Sequence, residues 1–503
     1  MMRDLLFKYQ WVLILLVAAI GGFLCMDLGH EWGDDFALYL HQARCWVDGG
    51  MDVLAAENKD CMDTSDGLLG PYLYPQGFPL FLSFFIRLFG LLGLKGLPLL
   101  LALKMANFIV FLLLLTVFLR LLNIKFEGNR NKILLAFVLI AWHPKIWEAA
   151  DRLSTDLWFT GLVILFFYAL NVEFKAGWTK ILTLCLLVLV ATATRSNGVF
   201  LVAAWLIQEF LVWQQSGKSE GLVPAFLLGG LSGFLALSAD AGNGSNHWVL
   251  LREIRIETIV DHIGVYFQMA GTYPFWHLAT AMKLFPWAVG FVWLGALIFW
   301  ILVILGAIRS GSKWIGAVVF LLLNLALYVV WPSVQGMRFL FPLLPLLIIF
   351  FVQGLDGLWR KLLPMITAVW TKMPARIAMV KNWVWGIALV ILLQGMMTSV
   401  FYVKLDTNQA YSKSAIELYD FVLKSVNPEE KVSFFKPRLM HYVTGAKVYR
   451  IAEDGKGDVV ERLKEKGIEY WVVRKRDAVR FVPGDLLEVF ENEQFVVYRI
   501  ARN

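Results

Sequence analysis

Charge is scarce in this chain. Only 17% of its 503 residues are Asp, Glu, Lys or Arg, whereas 59% are hydrophobic and the sequence holds 38 Phe and 21 Trp. No ordinary water-facing surface hides an apolar load of that size, which points to lipid as the solvent for most of the chain. Cysteine is sparse too: Cys25, Cys45, Cys61 and Cys185 show no C-x-x-C spacing, which argues against a zinc ribbon or a dithiol redox motif. Cys45 and Cys61 fall in one loop, where a disulfide and two free thiols are both open readings. The sequence has no Walker loop, no dinucleotide glycine pattern opening a helix and no serine nucleophile elbow, so soluble nucleotide chemistry is not indicated. It also lacks internal repeats, low-complexity tracts and heptads. The formal charge of +7 does not argue for nucleic acid, because Lys and Arg lie between apolar runs instead of along one stripe.

What is present is a series of apolar segments long enough to cross a bilayer. They fall near 11–27, 97–119, 133–149, 154–171, 178–194, 197–213, 222–239, 286–308, 314–331, 338–354 and 384–402. The chain is therefore expected to be a polytopic α-helical membrane protein with about eleven spans. The first segment follows a basic start, Arg3 and Lys8, and continues without a small-x-small site, so it reads as an anchor and not as a cleaved signal. With the N-terminus inside, the inner connections carry sixteen Lys and Arg and the short outer ones only four: Lys145, Arg152, Arg195 and Arg338. The positive-inside rule then sets N-inside, C-outside.

This topology creates two long outer loops, about 28–96 and 240–285. In the first, DDFALYLHQARCWVDGG repeats Phe36, Leu40, Ala43 and Val47 at helical spacing, which predicts a helix on the membrane surface with Tyr39 and Trp46 at its flank. The following YLYPQGFPLFLSFFIRLFG, broken by Pro75 and Pro79, predicts an interfacial or half-buried helix and not a crossing. From residue 404 the composition turns water-soluble. KVSFF, KVYRI, EYWVVR and QFVVYRI read as strands, and GDVVERLKEKG reads as a helix stopped at Gly467. Two domains follow: a membrane domain over 1–403 and a small α/β domain over 404–503.

Chemistry is expected in the outer loops and the tail. Asp34 and Asp35 stand just after the first crossing, where a carboxylate can act as general base on a half-lipid substrate or can cap its own helix. Arg338, in QGMRFLFPLLP, opens a span on the side where cations are disfavoured, so it needs an anionic partner; a lipid-linked phosphate and a membrane headgroup both suit its planar fork. Arg195 in TATRSNG invites the same argument or forms a polar hairpin turn. His143, before Pro144, either donates to a substrate or ends a helix. In the second loop Arg252, Arg255, His262 and Lys283 add positive charge. His30, Asp34, Asp35 and His41 are close in sequence, but Gly33 breaks the helical spacing that a metal site would need.

Taken in order, GDDFALYLHQA, YPQGFPLFLSFFIRLFG, LSTDLWF, ATRSNGVFLV, MRFLFPLLP and FFKPRLMHYVTG resemble the GT-C superfamily. These are polyprenyl-phosphate-sugar-dependent membrane glycosyltransferases, and the likeness is to bacterial family-39-like members, protein O-mannosyltransferases and the lipid A aminoarabinose transferase. The resemblance implies an acidic base at Asp34 with Asp35 as the second acidic position, and Arg338 as the late arginine that meets phosphate. Where some relatives place a lysine in the first loop this chain reads Tyr74, Pro75 and Gln76. The implied substrate-binding set is thus Arg338 with Arg195, His143, Tyr74 and Lys283. Also implied are inverting transfer to a lipid, glycan or protein acceptor, no cofactor or required metal, and residence in a bacterial inner membrane with a periplasmic C-terminal domain. A transporter or flippase for a lipid-linked or small solute is the competing reading, although transporters tend to show the repeats that are missing here.

Overall fold

The computed structural model describes residues 2–66, 70–217, 220–242, 256–282, 285–369, 386, 390–391, 393–397, 409–451, 459–475 and 486–501. Among these, ten of the eleven expected crossings are helical: α1 (Met2–Leu24), α5 (Gly96–Lys125), α6 (Arg130–Ala141) with α7 (Pro144–Asp151), α8 (Thr155–Asn171), α9 (Gly177–Thr194), α10 (Phe200–Ser216), α11 (Leu222–Gly242), α14 (Val289–Ser310), α15 (Ile315–Val330), and α16 (Met337–Leu340) with α17 (Leu344–Val369). The segment 384–402 falls largely outside the described residues. By length and hydropathy five described helices suffice to cross a membrane, or six when α6 and α7 count as one span bent by 48°. The chain is an integral membrane protein. The bend has a local cause, since Pro144 has no amide proton to donate and holds His143 in an extended conformation.

Close helix packing in lipid relies on small residues. At the crossing of α14 and α17, a Cβ on Gly306 would collide with the Phe350 carbonyl, and one on Gly354 with that of Leu302. Connections expected on the same side also meet one another. Lys132 pairs with Asp356 at 2.9 Å at one end of the bundle, and Arg152 pairs with Glu31 at 3.0 Å at the other.

The first loop folds into α2 (Asp34–Asp48), α3 (Met51–Thr64) and α4 (Gly77–Leu91). α2 does not lie on a membrane surface. Phe36 to Leu40, Gln42 and Ala43 are all buried, because α2 is held between α4 and the C-terminal domain. Gln42 secures this position by bonding the backbone of Tyr74 twice, donating to its carbonyl and accepting from its amide, each at 3.0 Å. Past the second loop's α12 (Ile256–Gly271) and α13 (Trp276–Met282), the tail forms α18 (Lys413–Ser425), β1 (Lys431–Ser433), α19 (Pro437–Thr444), β2 (Lys447–Tyr449), α20 (Val459–Glu465), β3 (Tyr470–Arg474), β4 (Leu486–Glu491) and β5 (Phe495–Ile500). The sheet order is β2-β1-β3-β5-β4, parallel across β2, β1 and β3 and antiparallel across β3, β5 and β4. The helical crossovers α19 and α20 are what parallel neighbours require.

The first loop is stitched to this sheet. Tyr449 donates to Asp60 at 2.5 Å, Asp66 receives Lys466 at 2.6 Å and Arg462 at 3.1 Å, and the Cys61 thiol donates to the Val448 carbonyl at 3.3 Å. None of the four cysteines is joined in a disulfide, so the Cys45–Cys61 question resolves to thiols.

Lys104, fully buried on α5, fixes the chain that leads into α2. Its ammonium meets Asp27 at 2.7 Å, Asp151 at 2.6 Å and the Gly29 carbonyl at 2.7 Å. Removing one member of a buried ion cluster leaves the others uncompensated, at about 3–5 kcal/mol. Lys104→Met is therefore expected to lower the thermal unfolding midpoint of the protein in lipid sharply, whereas Lys413→Met, whose pair is exposed, leaves it within experimental error. Equal midpoints for the two variants would contradict this account.

Candidate functional site

Asp34 and Asp35 open α2 after Gly33, yet no side chain caps this helix. Their two carboxylates point to different partners. Asp34 Oδ1 accepts from the amide of Leu439, 3.4 Å away, in the first turn of α19. It therefore caps a helix of the C-terminal domain instead of its own. Burial pushes the Asp34 carboxyl up to about 6, although Lys436 and Arg438 on that same turn pull the other way.

Asp35 lies in a different field. Its Oδ1 accepts from the Tyr74 hydroxyl at 2.6 Å and its Oδ2 from Arg338 Nη1 at 2.7 Å. Burial works to raise this carboxyl, but the charge of Arg338 and the hydrogen bonds from Tyr74 and Arg338 win and hold it near 2. Two adjacent aspartates are thus set apart, one as a fixed anion and one that titrates close to neutrality.

Arg338 continues the chain of charges. Its Nε stands 3.4 Å from Asp156 Oδ2, and Asp156 Oδ1 receives Arg195 Nη1 at 2.7 Å. The four residues come from four connections at one end of the bundle, and local structure explains each. Asp156 sits in the first turn of α8, where the helix dipole favours an anion. Arg195 ends α9 in an extended conformation, with Asn197 of the next turn bonded to Asn324 at 2.6 Å. Arg338 follows Gly336, whose φ of +68° is open to few other residues. The quartet is graded in exposure: Asp156 is 5% exposed, whereas Asp35 at 33% and Arg338 at 29% open to solvent. With two carboxylates against two guanidiniums, it carries no net charge.

Of the residues singled out in the sequence, the structure brings together Asp35, Tyr74, Arg195 and Arg338, with Asp34 alongside at the α19 contact. His143 has other duties. It caps α7 by accepting from the Lys145 amide, its Nε2 lies 2.7 Å from the Tyr273 carbonyl, and its ring stacks on Tyr273. Lys283 lies outside the described residues, as do Arg252 and Arg255. His262 bonds the Val329 carbonyl at 3.1 Å. Among the described residues no group of three or more His, Cys, Asp or Glu is arranged to hold a metal. A cavity of about 470 Å³ lies among Leu135, Leu139, Phe275, Phe351 and Ile391, and among the described residues its wall holds no titratable group.

Sequence reasoning passed over Asp156, Lys436 and Arg438. Asp156 carried the same signal as Arg338, a lone charge opening an apolar helix on the side expected to be outer. The two cations of α19 had no such signal, since charges in a soluble domain are ordinary. The quartet predicts an order of stabilities. Asp156→Asn strips both arginines of a buried partner and is expected to cost about 3 kcal/mol or more, while Asp35→Asn, at the open end, costs clearly less. Chemical or thermal unfolding of the two variants in matched lipid measures the difference; the reverse order would refute the buried role of Asp156.

No protein-family model matches the sequence, and no curated protein matches it. Among solved structures, ArnT from Cupriavidus metallidurans bound to undecaprenyl phosphate matches at a TM-score of 0.55 and 14% identity, over 97% of this chain and 98% of that one. The apo state of the same protein gives the same score and identity over 98% of both chains. The arabinofuranosyltransferase AftD from mycobacteria matches more weakly, at a TM-score of 0.46 and 13% identity, over 98% of this chain and 40% of that one. At these identities the likeness to ArnT is one of fold: the chain folds as ArnT does over nearly its whole length, apolar helices and C-terminal sheet together.

Proposed function

We propose that this protein is a GT-C glycosyltransferase that moves a sugar from a polyprenyl-phosphate donor to an acceptor hydroxyl at the outer face of the membrane, with inversion. The observation that carries the reading is the convergence of Asp35, Asp156, Arg195 and Arg338, beside Asp34, at one end of an apolar helix bundle. Charges retained there need a polar task. The shared fold with ArnT, a protein solved with undecaprenyl phosphate bound, supports a polyprenyl phosphate as the lipid partner.

In this reading Asp34 is the base. Its carboxyl, pushed up to about 6, is ionised at neutral pH and yet basic enough to take the acceptor's proton. As the acceptor oxygen bonds to the anomeric carbon, the bond from that carbon to the phosphate oxygen breaks, and the electron pair leaves with the polyprenyl phosphate. Arg338 stabilises the departing phosphate, while Arg195 acts through Asp156 to keep Arg338 in place. Because Arg338 already holds Asp35, the phosphate must compete for its donors, and Tyr74 keeps Asp35 positioned during the exchange. The acceptor is a lipid, a glycan or a protein hydroxyl. The positive-inside asymmetry of the connections supports a site and a C-terminal domain outside and an N-terminus inside, and the resemblance to bacterial GT-C enzymes makes that outside the periplasm in this reading.

The test is transfer from a panel of polyprenyl-phosphate sugars by purified protein in lipid. Asp34→Asn is expected to lower turnover by about 10²-fold or more, within the range for loss of a general base. Wild-type activity is expected to be full at neutral pH and to fall as the pH drops through about 6, where Asp34 takes up a proton. Asp35, held near 2, contributes no limb in that range. Transfer that survives Asp34→Asn unchanged would remove Asp34 from the mechanism; no transfer with any donor would favour a transporter or flippase.

A further inference from the structure

The first turn of α19 is built against the first-loop carboxylates in a way that the quartet does not account for. Arg438 is only 3% exposed, although it belongs to the soluble domain. Its Nη2 donates to the Pro71 carbonyl at 2.6 Å and approaches the Met62 sulfur at 3.6 Å, while its Nε and Nη1 are buried with no hydrogen-bond partner among the described residues. A guanidinium left with unused donors in the interior is costly unless its charge is offset nearby. The offset comes from α2, since Arg438 acts electrostatically on both Asp34 and Asp35. A Cβ added at Gly70 would lie 3.4 Å from Arg438 Nη1 and 3.3 Å from the Tyr74 hydroxyl, so this arginine and the tyrosine that donates to Asp35 meet at the same glycine, and Arg438 acts electrostatically on Tyr74 as well.

Lys436, half-buried at the N-cap of α19, adds a second charge toward Asp34, and the Leu439 amide donates to it. The remaining groups that act on or are acted on by Asp34 are Asp35 on α2, the Cys61 thiol on α3 and the Tyr419 hydroxyl on α18. None of these supplies a positive charge. Around this corner the three carboxylates of Asp34, Asp35 and Asp156 face four cations, Arg195, Arg338, Lys436 and Arg438.

We infer that the C-terminal domain supplies a positioning element to the site: Lys436 and Arg438, with the Leu439 amide, hold Asp34 as an anion and keep the segment ahead of Tyr74 in register with Asp35. Neither cation touches the reacting atoms. They act through the two aspartates, so the carboxylate pair works only while α19 is seated on α2. The consequence for catalysis rests on the reading of Asp34 as the base, but the ionic arrangement can be tested without any substrate.

Infrared difference spectra of the full chain in lipid, titrated against pH, report the protonated-carboxyl band of Asp34, assigned by its loss in Asp34→Asn. In the wild type the band is expected to grow as the pH falls through about 6. Arg438→Met and Lys436→Met each remove a cation that favours the charged form, so the midpoint is expected to move up by about one unit or more. Arg438→Lys keeps the charge and is expected to restore the wild-type midpoint. Should Arg438→Met fail to fold, Lys436→Met at the half-buried position decides. A wild-type midpoint in both folded Met variants would overturn the inference, as would the absence of any Asp34 band that titrates in this range. Transfer assays on the same variants keep the two proposals distinct. A shifted band in the variants with no transfer by the wild type from any donor refutes the glycosyltransferase reading alone, and an unshifted band in the variants with normal transfer refutes the positioning role alone.

Discussion

The fold turns on one guanidinium. Arg338 reaches Asp35 on a first-loop helix and Asp156 at the start of a spanning helix, and through Asp156 it is coupled to Arg195 at the end of another. Ions this close to an apolar bundle persist only when paired, and pairing constrains geometry: each helix end must arrive within about 3 Å of a partner. The apolar packing beneath is permissive by comparison, because lipid and leucine are equally good neighbours. The charged end is where the relative position of α2, α8, α9 and α16 becomes specific. Lys104 performs the same service one layer away, tying the strand of chain before α2 to α5 and α7.

Much of this was legible in the sequence. Apolar runs of the right length became helices almost segment for segment, since a chain in lipid has no other way to satisfy its backbone. Four of the tail's five strands appeared at the segments expected, β4 (Leu486–Glu491) being the one not foreseen, and Gly467 ends the helix before β3 at φ +66°. What local pattern could not tell was who covers whom. The helix over DDFALYLHQA shows an amphipathic spacing that suits a membrane surface, and only the tertiary structure reveals that α4 and α19 bury it from two sides. The same limit applies to the site. Asp34, Asp35, Arg195 and Arg338 stand out because charge is rare around them. Arg438 sits among many charges, so its burial could not be read from composition. His143 illustrates the converse: an eye-catching residue whose nitrogens serve a cap and a carbonyl.

Helix capping and chemistry, the two roles open to the aspartates, do not exclude each other in the proposed reading. Asp34 caps a helix, but one that arrives from more than four hundred residues downstream. A cap of this kind ties a first-loop carboxylate to the helix that opens the C-terminal sheet's first crossover. The stitches from Asp60 and Cys61 to the edge strand β2, and from Asp66 to Arg462 of α20 and to Lys466 just after it, make that contact firm.

The electrical balance of the quartet has one more implication. In the proposed reading, a quartet in which two carboxylates already satisfy two guanidiniums offers little net attraction to a phosphate arriving from water, which would have to displace Asp35 and forfeit its own hydration. A ligand whose isoprenoid tail is already dissolved in the bilayer arrives with most of its translational freedom surrendered, and its local concentration at the bundle's rim is high. Neutrality in the resting state would thus act as a filter, admitting phosphates delivered by the membrane and passing over the far more numerous ones in solution.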